Sequence, residues 1–142
     1  MPRRRRELSA TLLRKHVEQR AGRRCEYCHA PQRVSGHRYH IEHIIPKAHG
    51  GSDGLGNRAL ACATCNLAKL DRTMGVDPQT GVEVPLFNPR TQVWDEHFRW
   101  ATDHQTIVGR TPSGRAAVET LDMNNELHKE ARQLWFATGW LP

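Results

Sequence analysis

The hydrophobic pattern of the chain predicts a helix near each end. In the first, from about Ala10 to Ala21, Ser9 is the expected N-cap and apolar residues repeat at helical spacing. In the second, Asn124 or Asn125 caps a helix that continues to Gly139. The apolar residues of these two stripes are Leu12, Leu13, Val17, Leu127, Ala131, Leu134 and Trp135. Both helices should therefore turn one face toward a core.

After the first helix, the pattern predicts a strand, a loop, a second strand and a helix, in that order. His37–Ile45 has the β-branched and aromatic content of a strand and is followed by Pro46. The glycine-rich stretch Gly50–Gly54 forces a loop, and Asn57–Ala61 is short enough to return as the second strand of a hairpin. A helix is expected to start near Thr64.

The second half of the chain is predicted to be mostly extended. The prolines and glycine of Met74–Pro89 indicate a strap over the core with a turn at DPQTG. Residues of this strap expected to pack inward are Val84, Leu86 and Phe87. Three strands of an antiparallel meander are predicted at Trp94–Ala101, Gln105–Thr111 and Arg115–Leu121. Four tryptophans between Trp94 and Trp140 are more typical of core packing than of base stacking. The pattern as a whole indicates an α+β fold.

Length and charge narrow the class of protein. With 142 residues, 37% hydrophobic and 25% charged, the chain has room for one domain, expected over residues 9–142. A net charge of +6 favours a polyanionic partner, because Lys and Arg neutralise phosphates and release counterions. No window approaches the roughly 18 apolar residues of a membrane span. No apolar signal-peptide core follows Arg3–Arg6, so a cytoplasmic protein without membrane contact is expected.

Basic residues are concentrated near the N-terminus. Residues 1–8 are predicted to be a basic disordered tail. Further cations follow at Arg14, Lys15, Arg20, Arg23 and Arg24. These residues would suit a clamp on nucleic-acid phosphates, and they would equally suit a solvated helix face.

All four cysteines fall in two C-x2-C pairs, Cys25 with Cys28 and Cys62 with Cys65. In an oxidising compartment these four cysteines would be expected to form two disulfides. In a reducing compartment the same pairing is typical of a tetrahedral site of four thiolates around zinc. The zinc interpretation is favoured, because no cysteine is left over and no secretory signal is present in the sequence.

Glu42 and His43 stand side by side near the end of the first predicted strand. Hydrolysis of a phosphodiester needs a divalent cation to neutralise the phosphate and a base to deprotonate the attacking water. Histidine suits the second task, and a neighbouring carboxylate can hold the cation. Neighbours on a regular strand point to opposite sides, so the two can converge only where the strand ends. Pro46 and the glycines after it supply that ending.

The arrangement C-x2-C, EHIIP, GG, N and CxxCNxxK, from Cys25 to Arg72, resembles the HNH endonuclease superfamily in its zinc-knuckle branch. The resemblance implies a ββα-metal fold with a structural four-cysteine zinc site in a core of residues 25–72, followed by a C-terminal extension of residues 73–142. It also implies metal-dependent hydrolysis of DNA that leaves 5′-phosphate and 3′-hydroxyl ends.

The same resemblance implies a role for each site residue. His43 would be the general base, and Asn57 would support the catalytic loop. Glu42 and Asn66 would ligate the catalytic cation, while Cys25, Cys28, Cys62 and Cys65 would hold zinc behind the site. Asn66 stands where many relatives have histidine, so both catalytic ligands would be oxygens, which suit Mg²⁺ or Mn²⁺. Glu42 stands where aspartate is common.

Two functions remain open from the sequence. The first is a DNA endonuclease, and the second is a non-catalytic zinc-knuckle module that binds nucleic acid. Glu42, His43 and Asn66 together favour the enzyme, because a pure binder has no need for them. A single site makes a nick, so cutting both strands would require a homodimer, two visits or a larger nuclease assembly. Lys69 would meet a phosphate or lie on a solvated helix face.

Overall fold

The computed structural model describes residues 9–141, and the basic tail predicted at 1–8 lies outside the described residues. Helix α1 spans Ala10–Arg20, and the Ser9 side chain accepts a hydrogen bond from the Leu12 amide at its start. Val17 is fully buried on its inner face. The predicted first helix and its cap are therefore confirmed. A short helix α2, Gln32–Ser35, follows and ends at Gly36 in the left-handed region.

A hairpin and a helix form the centre of the molecule. Strand β1, His40–His43, pairs antiparallel with strand β2, Arg58–Ala61, and places His43 opposite Arg58. Helix α3, Ala63–Lys69, starts directly after β2. The predicted order of strand, loop, strand and helix is confirmed, and it is the ββα arrangement. β1 is shorter than predicted, because the backbone beyond His43 bonds to Asn57 rather than continuing the ladder.

The predicted strap is a second hairpin. Strands β3, Met74–Val76, and β4, Glu83–Pro85, pair antiparallel around the predicted DPQTG turn. The Asp77 carboxylate accepts from the Gln79 amide and from the Thr80 hydroxyl and so closes this turn. Leu86 and Phe87 are buried, as expected. The turn was predicted correctly, and the pairing of its two arms was missed.

The predicted three-stranded meander is wrong at both ends. Helix α4, Trp94–His97, precedes strand β5, Phe98–Trp100, which pairs with strand β6, Ile107–Gly109. The predicted third strand is instead helix α5, Pro112–Thr120, since Thr111 caps the Gly114 amide and Pro112 begins the helix. A Cβ at Gly114 would lie 2.0 Å from the His97 carbonyl oxygen, so glycine permits this close approach.

Helix α6 spans Glu126–Ala137 with Asn125 as its cap, which confirms the predicted final helix. One hydrophobic core includes residues from both halves of the chain. Its fully buried members include Val17, Leu60, Phe98 and Leu121. The tryptophans Trp94, Trp100 and Trp135 pack against this core, in agreement with the favoured interpretation. Within residues 9–141, no helix combines the length and apolar character needed to cross a membrane.

Candidate functional site

The four cysteines converge although two chain segments supply them. Their sulfurs lie within 4.8 Å of one another, and all four residues are buried. The Cys28 and Cys62 sulfurs are 3.7 Å apart. A tetrahedral zinc with Zn–S bonds of about 2.3 Å separates its sulfurs by about 3.8 Å, whereas a disulfide bond is about 2.05 Å long. The cysteines are free, and their arrangement fits a zinc site rather than two disulfides.

The electrostatics of the cluster agree with metal ligation. Hydrogen bonding, first from Cys25, lowers the pKa of Cys62 to about 6, while burial is the main cause that raises the pKa of Cys25 well above its usual range. The four sulfurs are close enough to compete for protons. A dication removes this competition, because it is bound by thiolates and displaces their protons.

The first knuckle, Cys25–Cys28, is bonded to both halves of the molecule. Glu26 accepts a hydrogen bond from the Leu60 amide of β2 at 2.8 Å and also pairs with Arg90. The Trp94 indole donates to the Tyr27 carbonyl oxygen at 2.8 Å, and its ring stacks on His29 with centroids 4.0 Å apart. Residues beyond the central ββα unit therefore hold the cysteines in place.

His43 ends β1 with a side chain that is 27% exposed and therefore reachable from solvent. Its Nε2 lies 2.7 Å from Asp53 Oδ1. A carboxylate accepts, so Nε2 carries the proton in this hydrogen bond and the neutral ring keeps an unprotonated Nδ1. This tautomer, assigned from the bonding partner, leaves one ring nitrogen able to take a proton.

Asp53 was missed in the sequence, where it appeared only as part of a glycine-rich loop. Its carboxylate is also 3.0 Å from Lys47 Nζ. Hydrogen bonds from His43, and then from Lys47, lower the pKa of Asp53 below its usual value, so it is ionised near neutral pH. The sequence contains one signal for Asp53: it is a carboxylate in the loop that connects the two strands next to His43. Residue spacing alone could not show that Asp53 bonds to the His43 ring.

Asn57 holds that loop. Its Oδ1 accepts from the Ile45 amide, and its Nδ2 donates to the carbonyl oxygens of Ile45 and Ser52, each at 2.9 Å. At Gly51 a Cβ would lie 1.7 Å from the Ile45 carbonyl oxygen, so only glycine fits there. Asn57 directly precedes β2, whose first residue pairs with His43, so its side chain holds the loop next to the candidate base.

Glu42 points into the protein, away from His43. Its Oε1 accepts from the Tyr27 hydroxyl, and its Oε2 is 3.4 Å from Lys69 Nζ. Glu42 is 7% exposed. Burial raises its pKa, and the nearby Lys69 charge opposes that shift. Both oxygens are engaged and one faces an ammonium group, so this carboxylate does not fit a divalent cation in the present geometry.

Lys69 differs from both sequence interpretations. It is 1% exposed and donates to the Ile44 carbonyl oxygen at 2.9 Å. Neither a phosphate contact nor a solvated helix face describes it, and both expectations are wrong. The helix pattern could not show this, because burial of Lys69 depends on how α3 packs against β1.

Asn66 lies on α3 and is partly exposed. Its backbone amide donates to the Cys62 carbonyl oxygen, but its side chain forms no hydrogen bond with any residue of the described range 9–141. An amide oxygen remains free there. The structure therefore groups His43, Asp53 and Asn57 around one loop and turns Glu42 to the interior.

Comparison with known proteins agrees with this geometry. Residues 25–72 match the family model described as HNH endonuclease. The match covers about a third of the chain and includes β1, β2, α3 and all four cysteines. No curated protein and no solved structure matches the chain. The resemblance predicted from sequence is thus confirmed over residues 25–72, which carry an HNH endonuclease segment whose cysteines fit the zinc-knuckle variant.

Proposed function

We propose that this protein is a DNA endonuclease in which His43 is the general base. The observation that carries the proposal is the His43–Asp53 hydrogen bond, which fixes the proton of the neutral ring on Nε2 and makes Nδ1 the proton acceptor of an accessible ring within the HNH segment. An HNH segment indicates a nuclease or nucleic-acid-binding role. The net charge of +6 supports a polyanionic substrate.

In the proposed reaction, His43 Nδ1 takes a proton from a water molecule that attacks phosphorus in line with the leaving oxygen. The ring then carries a positive charge, and the Asp53 carboxylate stabilises it while holding the ring orientation. Asn57 keeps the loop that carries Asp53 in place. The chemistry is hydrolytic and would leave a 5′-phosphate and a 3′-hydroxyl.

A bound Mg²⁺ or Mn²⁺ would neutralise the phosphate and the leaving oxygen. Glu42 and Asn66 remain the predicted ligands of that cation. The free amide oxygen of Asn66 supports its half of the prediction, whereas the bonds from Glu42 to Tyr27 and Lys69 do not support the other half.

The test is cleavage of supercoiled plasmid in Mg²⁺ or Mn²⁺ by the wild type and by His43→Ala. The wild type should produce nicked plasmid, and the variant should be slower by about 100-fold or more, because a general base contributes about 10²–10⁴. His16→Ala, an exposed histidine on α1, is the matched control and should cut at the wild-type rate.

Equal cleavage by the wild type and His43→Ala would remove His43 from the mechanism. Binding of DNA without any cleavage would favour the non-catalytic zinc-knuckle module instead. Linear plasmid appearing together with the nicked form would indicate paired sites, as in a homodimer or a larger nuclease assembly.

Asp53→Ala should lower kcat by about 10-fold and leave KM nearly unchanged, because the hydrogen bond from His43 becomes charge-assisted, and so stronger, only when the ring takes up the proton during the reaction. Asp53→Asn keeps an acceptor oxygen and should fall between Asp53→Ala and the wild type. Steady-state cleavage of a labelled duplex separates the two constants. Asp71→Ala, an exposed aspartate of the same segment, serves as the control. A change in KM alone would argue that Asp53 contacts substrate rather than positioning His43.

A further inference from the structure

A basic pocket of about 420 Å³ runs along the exposed side of α1. Its charged lining consists of Arg14, Lys15, Glu18, Arg23 and Arg38. Four cations therefore face one carboxylate. The first turn of α1 contains no acidic residue that would offset them.

Two of these charged residues, Arg14 and Glu18, already interact within the protein. Arg14 donates to the Tyr39 carbonyl oxygen at 2.9 Å and lies 3.6 Å from Glu18. By contrast, Lys15, Arg23 and Arg38 are exposed. None of these three side chains forms a hydrogen bond or salt bridge within the described residues 9–141. Three like charges thus share one pocket whose single carboxylate, Glu18, is paired with Arg14, and such a group of cations suits a phosphate-binding surface.

The pocket also lies beside the hairpin that carries His43. Near the middle of α1, Arg14 donates to the carbonyl oxygen of Tyr39, which directly precedes β1. At the C-terminal end of α1, Arg20 donates to the carbonyl oxygens of Leu55 at 2.9 Å and Arg58 at 2.7 Å. Arg58 is the residue paired with His43. Helix α1 is therefore bonded to both strands of the hairpin region and ends next to the strand pair that carries the proposed base.

The length of the surface suits a nucleic-acid strand. Thr11 and Gln19 both line the pocket and lie within α1, so they are separated by about 12 Å at 1.5 Å per helical residue. A DNA strand advances about 3.4 Å per nucleotide, so this distance corresponds to about three phosphates. Surface cations at such spacing contact the backbone without reading base identity.

We propose that Lys15, Arg23 and Arg38 bind phosphates of the DNA backbone several nucleotides away from the bond that is cut. The surface rests on the proposed function, since it assumes that DNA is the substrate. The proposal takes the phosphate interpretation for Lys15 and Arg23, and it assigns Arg14 and Arg20 to holding the helix against the hairpin.

The experiment measures binding separately from cleavage. All proteins carry His43→Ala, and the anisotropy of a labelled duplex is followed from 50 to 200 mM salt, the range in which phosphate contacts change affinity most clearly. Replacing Lys15, Arg23 and Arg38 together by glutamine should lower the slope of log K against log salt by about 2.7, at about 0.9 per contact. Affinity should fall equally for unrelated DNA sequences. Lys129→Gln on α6, outside the pocket, should leave the slope unchanged.

The possible outcomes distinguish a failure of the proposed phosphate-binding surface from a failure of the proposed endonuclease function. If the parent binds DNA and the triple variant has the same slope and affinity, the inference is overturned while DNA remains the partner. If the triple variant loses RNA binding but keeps duplex DNA binding, the surface belongs to another nucleic acid and the inference is again overturned. If the parent binds no DNA and the wild type cuts no plasmid, the proposed function fails together with the surface. Thermal melting and zinc content of the triple variant should match the parent, because all three side chains are exposed.

Discussion

Cys65→Ser should lose bound zinc and cooperative unfolding together. The four sulfurs join residues 25–28 to the start of α3 across a small hairpin, so the metal connects segments that are far apart in sequence. Structural zinc contributes about 10–16 kcal/mol in zinc-finger peptides, and whole domains are stable by only about 5–15 kcal/mol. Loss of this site is therefore large enough to unfold the central ββα unit.

The measurement is metal analysis of the purified protein, with thermal melting followed by circular dichroism. The wild type should contain close to one zinc per chain, and a strong chelator should lower its melting temperature steeply. Thr64→Ser, next to Cys65 on the same helical turn, should keep both the zinc and the melting temperature. A wild-type protein without stoichiometric zinc would contradict the metal assignment.

Lys69→Met should destabilise the protein by about 3–5 kcal/mol, because it leaves the Glu42 carboxylate buried without its cation. The two side chains are only 2% and 5% exposed, so water cannot replace the missing partner. The free energy of unfolding in urea measures the effect. Zinc content should be unchanged under native conditions, since neither residue is a sulfur ligand.

The double variant Glu42→Gln with Lys69→Met provides the internal test. It removes both charges and should recover much of the lost stability, because no isolated buried charge remains. Lys129→Met, a lysine on α6, should change the free energy of unfolding by less than about 0.5 kcal/mol. If Lys69→Met were as stable as the wild type, the buried pair would have no energetic importance. Glu42 would then be a stronger candidate as a ligand of the catalytic cation.

Local signals in the sequence were sufficient for several elements. Ser9 and Asn125 are helix caps that act within one turn, and both helices begin where these residues predicted. The start of α5 carried an equally local signal in Thr111 and Pro112, but the following residues were interpreted as a strand. A cap followed by proline at the first helical position favours a helix start, so the predicted third strand was wrong.

In the candidate site as well, some residues could be predicted from local sequence signals and others depend on tertiary packing. Spacing alone identified the four cysteines and drew attention to His43, because ligand spacing and motif order are properties of the sequence. Asp53 and Lys69 could not be found so directly. Their roles depend on the positions of the loop between β1 and β2 and of the end of α3. Asn57 fixes the loop, and packing against β1 fixes the end of α3. The expected convergence of Glu42 and His43 is not seen, because both residues lie within β1 and strand alternation turns their side chains to different partners.

Tyr27 connects the first knuckle to the second half of the chain. Its hydroxyl bonds to Glu42 within the HNH segment, and its carbonyl oxygen accepts from Trp94 beyond it. A cut in the chain after Arg72 would remove Trp94 and leave that carbonyl oxygen and the face of His29 uncovered. We therefore expect that the HNH segment does not fold as a separate unit. Transferring it to another protein would require residues 73–141 or a substitute for the surface that they provide.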